Sequence, residues 1–487
     1  MRELKKLISK LDYTEEGSPV GDKNVTKVVY DSRKLTNGCI FICIRGANFD
    51  GHDFASEACR LKAAAIVIEK DVILPENSDI SIIRVKDTRY ALACISAAFF
   101  DDPAGKLTTI GVTGTKGKTT TTYLIKHMLE SAGHKVGLVG TIETIIGDEH
   151  IPSKNTTPES YLLQQYFSEM VEAGMDAVVM EVSSQALMMH RCAGFVFDYG
   201  VFTNLSPDHI GPNEHRDFED YLHCKSLLFR QCKTGILNGD DEYTDDILKG
   251  HTCIVEKFGL GSGNDLRAEN IKLIKKEGFI GVNFDVRGLI DFNTDTAFPG
   301  KFSVYNALCA IAVCTHFDVK KEDMKDALIN GRVKGRIEII ETGGNYVLMI
   351  DYAHNAMALE SLLKTLREYE PKRLVCVFGC GGNRSNLRRF EMGEVSGRLS
   401  DLTIITSDNP RFEEPHAIME DIETGIKKTD GKYIMIQDRK EAIAYAINHA
   451  EDGDVIVLAG KGHEDYQEIK GNKYPMDERE LIKEVLG

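Results

Sequence analysis

Apolar residues gather along this chain in short runs bounded by polar or glycine-rich turns, and the runs alternate with stretches of helical periodicity. In the first hundred residues 27–30, 39–44 and 64–68 read as strands, with an alanine-rich helical stretch before the third, which makes a small α/β unit. The segment 102–105, Asp-Pro-Ala-Gly, breaks this pattern. Beyond it, 107–112 has the continuous apolar character of a buried strand and runs straight into a glycine-rich turn and a long helix. Strand and helix patterns then alternate through 176–180 and 199–203, which favours a parallel sheet covered by helices. A break near 332–335 precedes a third alternating region with strands at 346–350, 374–378, 402–406 and 455–458. The fold class predicted is α/β, in three domains at 1–105, 106–333 and 334–487.

Composition narrows the choice of function. A chain of 487 residues exceeds what one core of roughly 100–200 residues serves, in keeping with two or three domains. No stretch approaches the roughly 18 apolar residues of a membrane span. The first ten residues carry charge without a following apolar core or cleavage site, so no secretory signal is read and a cytoplasmic location is expected. Twelve cysteines are scattered without a CxxC pair, which favours reduced thiols over a zinc site or redox couple. A net charge of −16 without a basic run argues against nucleic acid, whose binding rests on clustered Lys and Arg. Small-molecule partners remain, and local basic pockets can still hold small anions.

The sharpest local signal is Gly114, Thr115, Lys116, Gly117, Lys118, Thr119 and Thr120, set between the strand at 107–112 and a helix expected to begin near Thr119. Backbone N–H groups and the positive helix end favour phosphate oxygens, Lys118 reaches outer phosphates, and the Thr119 hydroxyl suits Mg²⁺. The spacing departs from the strict phosphate-loop pattern, since Val112 stands where its first glycine belongs. A ligand-free Gly/Thr turn is the plainer alternative. Magnesium also needs protein oxygens or imidazole, and Glu181, Asp208 and His209 follow strand ends, where open α/β sheets bind ligands. Each of these taken alone reads equally as a surface or capping residue.

Taken in order, several motifs resemble the MurE-type Mur ligases over nearly the whole chain. They are Asp31-Ser-Arg33, the loop 113–120, Asn155-Thr-Thr-Pro158, Glu181-Val-Ser-Ser184, Thr203-Asn-Leu205, Lys225, Tyr305-Asn-Ala307, Gly335-Arg336, Asp351-Tyr-Ala-His354, Phe378-Gly-Cys-Gly-Gly382, Asp408-Asn-Pro-Arg411 and Gly460-Lys-Gly-His-Glu464. The resemblance implies an N-terminal uridine-nucleotide domain, a central P-loop-like ATPase domain and a C-terminal Rossmann-like domain. It implies ATP and Mg²⁺, an acyl phosphate on UDP-N-acetylmuramoyl-L-alanyl-D-glutamate, and attack by a diamino acid. Lys118, Glu181, His209 and Lys225 would be catalytic. Thr119, Glu181, His209 and Lys225, the last as a carbamate (N6-carboxylysine), would hold metal. Asn306, Arg336 and Asp351 would join the loop around ATP. Tyr30, Ser32, Ala47, Asn48, Phe49, Asn155, Thr156, Thr157, Ser183 and Arg191 would contact the UDP-muramoyl substrate, though Thr156 and Ser183 also read as helix caps.

Asp408, Asn409, Pro410 and Arg411 mark, in that family, enzymes adding meso-diaminopimelate rather than L-lysine, and Arg384, Gly460 and Glu464 match the remaining contacts. A guanidinium such as Arg411 pairs with the extra carboxylate in a fork, and Glu464 suits an ammonium. An Asn-Pro turn is the plainer reading. The chain departs from the family pattern at Gln185, Met189, Asn355 and Asn383, and 208–221 is longer than usual. An L-lysine-adding enzyme or a divergent paralogue on a modified precursor therefore stays open. So do folylpolyglutamate synthase, a nucleotide-dependent switch, and a dinucleotide-binding oxidoreductase built on the 378–382 turn.

Overall fold

The uninterrupted apolar runs fold as strands because a strand covered by helices on both faces must be apolar at every position. The computed structural model describes residues 1–46, 49–76, 78–208, 210–211 and 214–487. It is α/β throughout and forms two compact units. One holds Met1–Asp265 with Cys309–Val319, the other Leu266–Leu308 with Lys320–Gly487.

In the first unit, strands Lys27–Val29, Cys39–Ile42, Ala65–Ile68 and Ser81–Val85 pair in parallel, and Tyr13–Gly17 adds antiparallel at the edge. Leu92 and Ile95 of the helix Thr88–Phe99 cover one face of this sheet. A second sheet in the same unit has the order Glu149–Pro152, Glu143–Ile146, Val136–Val139, Ala177–Glu181, Thr108–Thr113, Phe197–Phe202, Cys232–Asn238 and Ile254–Gly259. It is parallel from Val136–Val139 onward. Thr108–Thr113 lies at its middle, between Ala177–Glu181 and Phe197–Phe202. The chain leaving Thr113 therefore emerges between the ends of two neighbours, the crevice in which open α/β sheets bind ligands.

The second unit carries a six-stranded sheet in the order Glu338–Ile340, Val347–Asp351, Val455–Ala459, Leu374–Phe378, Leu402–Ile405 and Tyr433–Met435, parallel except for the first pair. Leu359, Leu363 and Met392 fill one face, Ile443, Ala446 and Ile482 the other. The same unit holds an antiparallel meander, Leu266–Lys276, Phe279–Gly288 and Phe292–Thr296, that the apolar runs do not announce. Only alternate residues such as Ile280, Val282, Phe284 and Val286 are buried there, and charged side chains interrupt each run.

Among the described residues no helix is long and apolar enough to cross a membrane. All twelve cysteines are unpaired and all but Cys59 are buried, matching the reading of reduced thiols.

Candidate active site

The loop after Thr113 is shaped by two glycines in left-handed backbone. Gly114 has φ +148°, and a Cβ there would collide with Thr203 Oγ1; Gly117, at φ +85°, is the residue from which the helix Lys118–Ser131 starts. Three bonds from the neighbouring strand end clamp the loop. Thr115 N–H donates to Asn204 O (2.8 Å), Lys116 N–H to Asn204 Oδ1 (3.0 Å), and Asn204 Nδ2 to Lys116 O (2.9 Å). Thr203 Oγ1 adds a bond to Lys116 O (2.7 Å), and the Thr115 hydroxyl lies 3.0 Å from the Tyr221 hydroxyl. The helix start expected at Thr119 falls at Lys118, with Thr120 in its first turn.

Two lysines converge on one carbonyl. Lys118 Nζ donates to Gly114 O at 2.8 Å and to Thr115 O at 3.1 Å; Lys225 Nζ donates to the same Gly114 O at 2.9 Å from the helix Phe218–Ser226. Lys225 is 1% exposed and lies over the Tyr221 ring. Burial, and then the charge of Lys118, pushes its ammonium well below the usual lysine range.

Glu181 ends its strand 1% exposed, with every bond made. Oε1 accepts from Thr119 Oγ1 (3.0 Å) and Thr141 N–H (2.8 Å), and Oε2 from Thr141 Oγ1 (3.1 Å). Gly140 leaves room for it, since a Cβ there would sit 2.7 Å from Glu181 Oε1. A hydroxyl and a carboxylate side by side at the loop are the hard oxygen donors that suit magnesium. His209 lies outside the described residues.

The residues expected to face the muramoyl substrate divide into groups. Thr156, Thr157, Ser183 and Arg191 form one network: Thr157 Oγ1 donates to Glu181 O (2.8 Å), Ser183 N–H to Thr157 Oγ1 (3.1 Å), and Arg191 to Thr157 O (3.1 Å). Thr156 Oγ1 lies 3.1 Å from Thr141 Oγ1, whose own hydrogen goes to Glu181. Ser183 is also the N-cap of the helix Ser184–Met188, so the capping alternative holds for it. Met189, a departure from the family pattern, accepts from Arg191 through sulfur at 3.8 Å. Asn155 and Phe49 are exposed, Ser32 stands in a short turn capped by Asp31, and Tyr30 is half-buried beside Tyr161. Ala47 and Asn48 lie outside the described residues. In the lengthened segment, the buried His215 places Nε2 2.8 Å from Ser184 Oγ.

Three residues expected at ATP belong to the second unit. Asn306 is buried in the helix Lys301–Cys314. Arg336 stacks over the Tyr352 ring at 4.8 Å. Asp351 accepts from Ile337 N–H (2.9 Å) and Ala353 N–H (2.8 Å), while burial pushes its carboxyl above the usual range against the pull of Arg336. His463, 4.6 Å from Tyr352 between ring centres, is pushed by burial to about 4.

The same unit assembles the 408–411 segment with 460–468. Asp408, Asn409 and Pro410 are buried, and a turn follows from Pro410, closed by Glu413 N–H onto Pro410 O. Asn409 Nδ2 donates to Glu464 Oε2 (2.8 Å), and the fully buried Lys461 donates to Asn409 Oδ1 and Glu464 Oε2, each at 3.0 Å. Arg411, at φ +53°, donates from Nε to Glu468 Oε2 (3.1 Å) and from Nη1 to Gly382 O (2.7 Å). Gly460 has φ +108° and lies against Asp408; Arg384 is exposed. Cβ atoms at Gly379 and Gly382 would strike Thr406 O and Pro410 O, so these glycines seat the 378–382 turn on the 406–410 segment. That packing, not a pyrophosphate cradle, accounts for them, which removes the support for a dinucleotide site. Two further departures keep local function: Asn355 caps the helix Ala356–Arg367, and Asn383 accepts from Phe412 N–H in left-handed backbone that Asn tolerates.

The sequence reading gave no role to Thr141, Tyr221, Lys461 or Glu468. Lys461 sits inside the Gly460–Glu464 motif and could have been found there. The others stand in no motif, and the bonds Thr141–Glu181, Tyr221–Thr115 and Glu468–Arg411 span 40, 106 and 57 residues of chain.

Models of three protein families match: Mur ligase family, catalytic domain, over 24–100; Mur ligase middle domain over 112–314; and Mur ligase, glutamate ligase domain, over 335–462. A UDP-N-acetylmuramoyl-L-alanyl-D-glutamate--2,6-diaminopimelate ligase of Caldanaerobacter subterraneus subsp. tengcongensis is 43% identical, over 99% of this chain and 98% of its own. A like-named ligase 1 of Clostridium acetobutylicum is 44% identical over 99% of each. The solved structure of a ligase of this name superposes with a TM-score of 0.73 at 27% identity, covering 99% and 98%. A Thermotoga maritima folylpolyglutamate synthase, at 17% identity and TM-score 0.58 over 76% of this chain and 90% of its own, shares the fold alone.

Proposed function

The chain belongs to the Mur ligase family, and on that footing we propose that it is the ATP-dependent ligase joining meso-diaminopimelate to UDP-N-acetylmuramoyl-L-alanyl-D-glutamate in peptidoglycan synthesis. The observation that carries the proposal is the loop 114–120, with Lys118 and Lys225 on one carbonyl and Thr119 against Glu181. Functional regions at 1–105, 106–333 and 334–487 divide the work among substrate nucleotide, ATP and amino acid.

A carboxylate is a poor electrophile, so ATP supplies the leaving group. A substrate carboxylate oxygen bonds to the γ-phosphorus while the bond to the β–γ bridging oxygen breaks, giving ADP and an acyl phosphate. The amine of the diamino acid then bonds to the acyl carbon, phosphate departs, and the amine loses a proton. The loop N–H groups and Lys118 hold the phosphates, and their positive charge offsets what gathers at the transferring group. Thr119 and Glu181 would hold Mg²⁺ through oxygen, and the ion would neutralise phosphate charge. Lys225 is suited to carbamylation. Its burial favours the neutral amine, the form that adds CO₂; with loss of a proton this would give an anionic carbamate, which with His209 would hold a metal ion. Tyr30, Ser32, Ala47, Asn48, Phe49, Asn155, Thr156, Thr157, Ser183 and Arg191 bind the UDP-muramoyl peptide. Asn306, Arg336 and Asp351 complete the ATP site; Arg384, Asp408, Asn409, Pro410, Arg411, Gly460 and Glu464 take the amino acid. The protein works in the cytoplasm, where its nucleotide substrates are.

The test is ADP release with UDP-N-acetylmuramoyl-dipeptide and meso-diaminopimelate, L-lysine or L-ornithine in parallel. Turnover should need the nucleotide acceptor and be fastest with diaminopimelate. Lys118→Ala should abolish it with every amine, whereas Arg411→Ala should mainly weaken diaminopimelate use. Acceptor-independent ATP hydrolysis would instead favour a nucleotide switch.

A further inference from the structure

The lengthened segment 208–221 ends in a group of donor atoms to which the ligase reading gives no role. His215 is fully buried, and its carbonyl accepts from Gly211 N–H at 3.2 Å. The helix Phe218–Ser226 starts three residues later, capped by Asp217, and carries Asp220 and Cys224 four residues apart, on one face. His215 Nδ1 lies 3.3 Å from Asp220 Oδ2, and one donor atom from each of His215, Asp220 and Cys224 falls within 4.8 Å of the other two. Cys224 is buried and the Asp220 side chain is 15% exposed. The spacing, His-x4-Asp-x3-Cys, contains no CxxC pair, so a search for one passes over it.

An ion pair accounts for His215 and Asp220 but not for the thiol beside them. Nitrogen, oxygen and sulfur gathered at one place are a donor set for zinc, since imidazole and thiolate suit that ion while magnesium and calcium take oxygen. Small side-chain shifts bring all three donors to zinc bonds of about 2.0–2.3 Å. The imidazole is already oriented. Its Nε2 lies 2.8 Å from Ser184 Oγ, in the first turn of the helix Ser184–Met188, and a metal-binding histidine ordinarily gives its other ring N–H to such an oxygen. Arg216 holds the Asp220 carboxylate through its backbone N–H and Nη2, each at 3.3 Å. We infer that His215 Nδ1, the Asp220 carboxylate and Cys224 Sγ form a zinc-binding site, made of other residues than those proposed for Mg²⁺, that fastens the turn at His215 to the helix carrying Lys225. On binding, a sulfur–zinc bond replaces the S–H bond and the thiol proton passes to solvent; the imidazole keeps its proton on Nε2, toward Ser184. Three protein donors leave a fourth position for water.

The test titrates the full-length chain, reduced and stripped with a chelator, with Co²⁺ as a spectroscopic stand-in for Zn²⁺, in excess Mg²⁺ so that oxygen sites are filled. One equivalent should give a thiolate-to-cobalt charge-transfer band in the near ultraviolet, which one equivalent of Zn²⁺ abolishes while raising Tm. The band should vanish in Cys224→Ser and persist in Cys59→Ser, which removes the cysteine that is not buried. His215→Gln and Asp220→Asn should each weaken Zn²⁺ binding by at least about tenfold, and Ser184→Ala, which removes only the oxygen behind the ring, by about tenfold. A wild-type chain that gives no band overturns the inference whatever the variants do. So does a band that survives Cys224→Ser or disappears in Cys59→Ser. Should Cys224→Ser fail to fold, an unchanged Zn²⁺ affinity in both His215→Gln and Asp220→Asn would overturn it equally. None of these measurements uses ATP or a muramoyl peptide, so the zinc site and the ligase reading stand or fall separately.

Discussion

At the scale of single residues, the site is governed by what burial does to charge. Lys225 is buried with Nζ on Gly114 O, and its ammonium is destabilised by burial and then by Lys118. A lysine whose folded pKa lies below the unfolded 10.5 binds fewer protons when folded, so its contribution to stability falls as pH drops from 10.5 through the folded value. Lys225→Met should therefore raise Tm at pH 7, by ~2–4 °C for each kcal/mol regained, with a gap that narrows toward pH 10.5. Thermal melts across pH in carbonate-depleted buffer check this, and the variant should release no ADP. His463 offers a second window. With a folded value of about 4 against 6.5 unfolded, it stays neutral at neutral pH and its stabilisation is lost as pH falls from 6.5 toward 4. In His463→Gln the slope of Tm with pH should flatten over that interval. Lysines 118 and 225 illustrate the limit of sequence reading here. Lys118 announces itself by its place in a glycine loop, whereas nothing local to Lys225 says that its amine ends 2.9 Å from Gly114 O, 111 positions away.

At the scale of elements, the phosphate loop is a joint product of two strand ends. Gly114 must be glycine because Thr203 of the next strand's exit occupies the space of a Cβ and φ is +148°. Gly114→Ala should cost at least about 2 kcal/mol, measurable by denaturant unfolding, and should abolish nucleotide binding. Asn204→Ala removes both side-chain bonds to Lys116 without touching the loop's own atoms. KM for ATP should rise by up to about thirtyfold while KM for the diamino acid holds, since two hydrogen bonds of about 1 kcal/mol each are lost from the ATP loop alone. Apolar runs marked most of the parallel strands within one or two residues, as at Leu374–Phe378, but passed over Ser81–Val85, Val136–Val139, Cys232–Asn238 and Ile254–Gly259. They missed the meander Leu266–Thr296 and the hairpin of Tyr466–Ile469 with Asn472–Pro475. Strands exposed on one side alternate, and lysines and glutamates hide that alternation in a single sequence.

For the molecule as a whole, a net charge of −16 means self-repulsion in the native state, relieved by counter-ions. Raising ionic strength from about 0.01 to 0.15 M, which shortens the Debye length from about 30 to 8 Å, should raise Tm at pH 7.5 in a salt titration. A lower Tm in added salt would show that the ion pairs, such as Arg389 between Glu413 and Asp421, outweigh the repulsion. The sequence by itself determined the α/β class, most of the buried strands, the nucleotide loop and the order of motifs that places the chain among the Mur ligases, because each of these is written in residues adjacent along the backbone. Only the tertiary structure decided that two lysines share the Gly114 carbonyl, that the Thr119 hydroxyl donates to Glu181, and that Glu468 faces Arg411. Those pairings depend on strand order and helix packing, which set through-space distances that spacing along the chain does not encode.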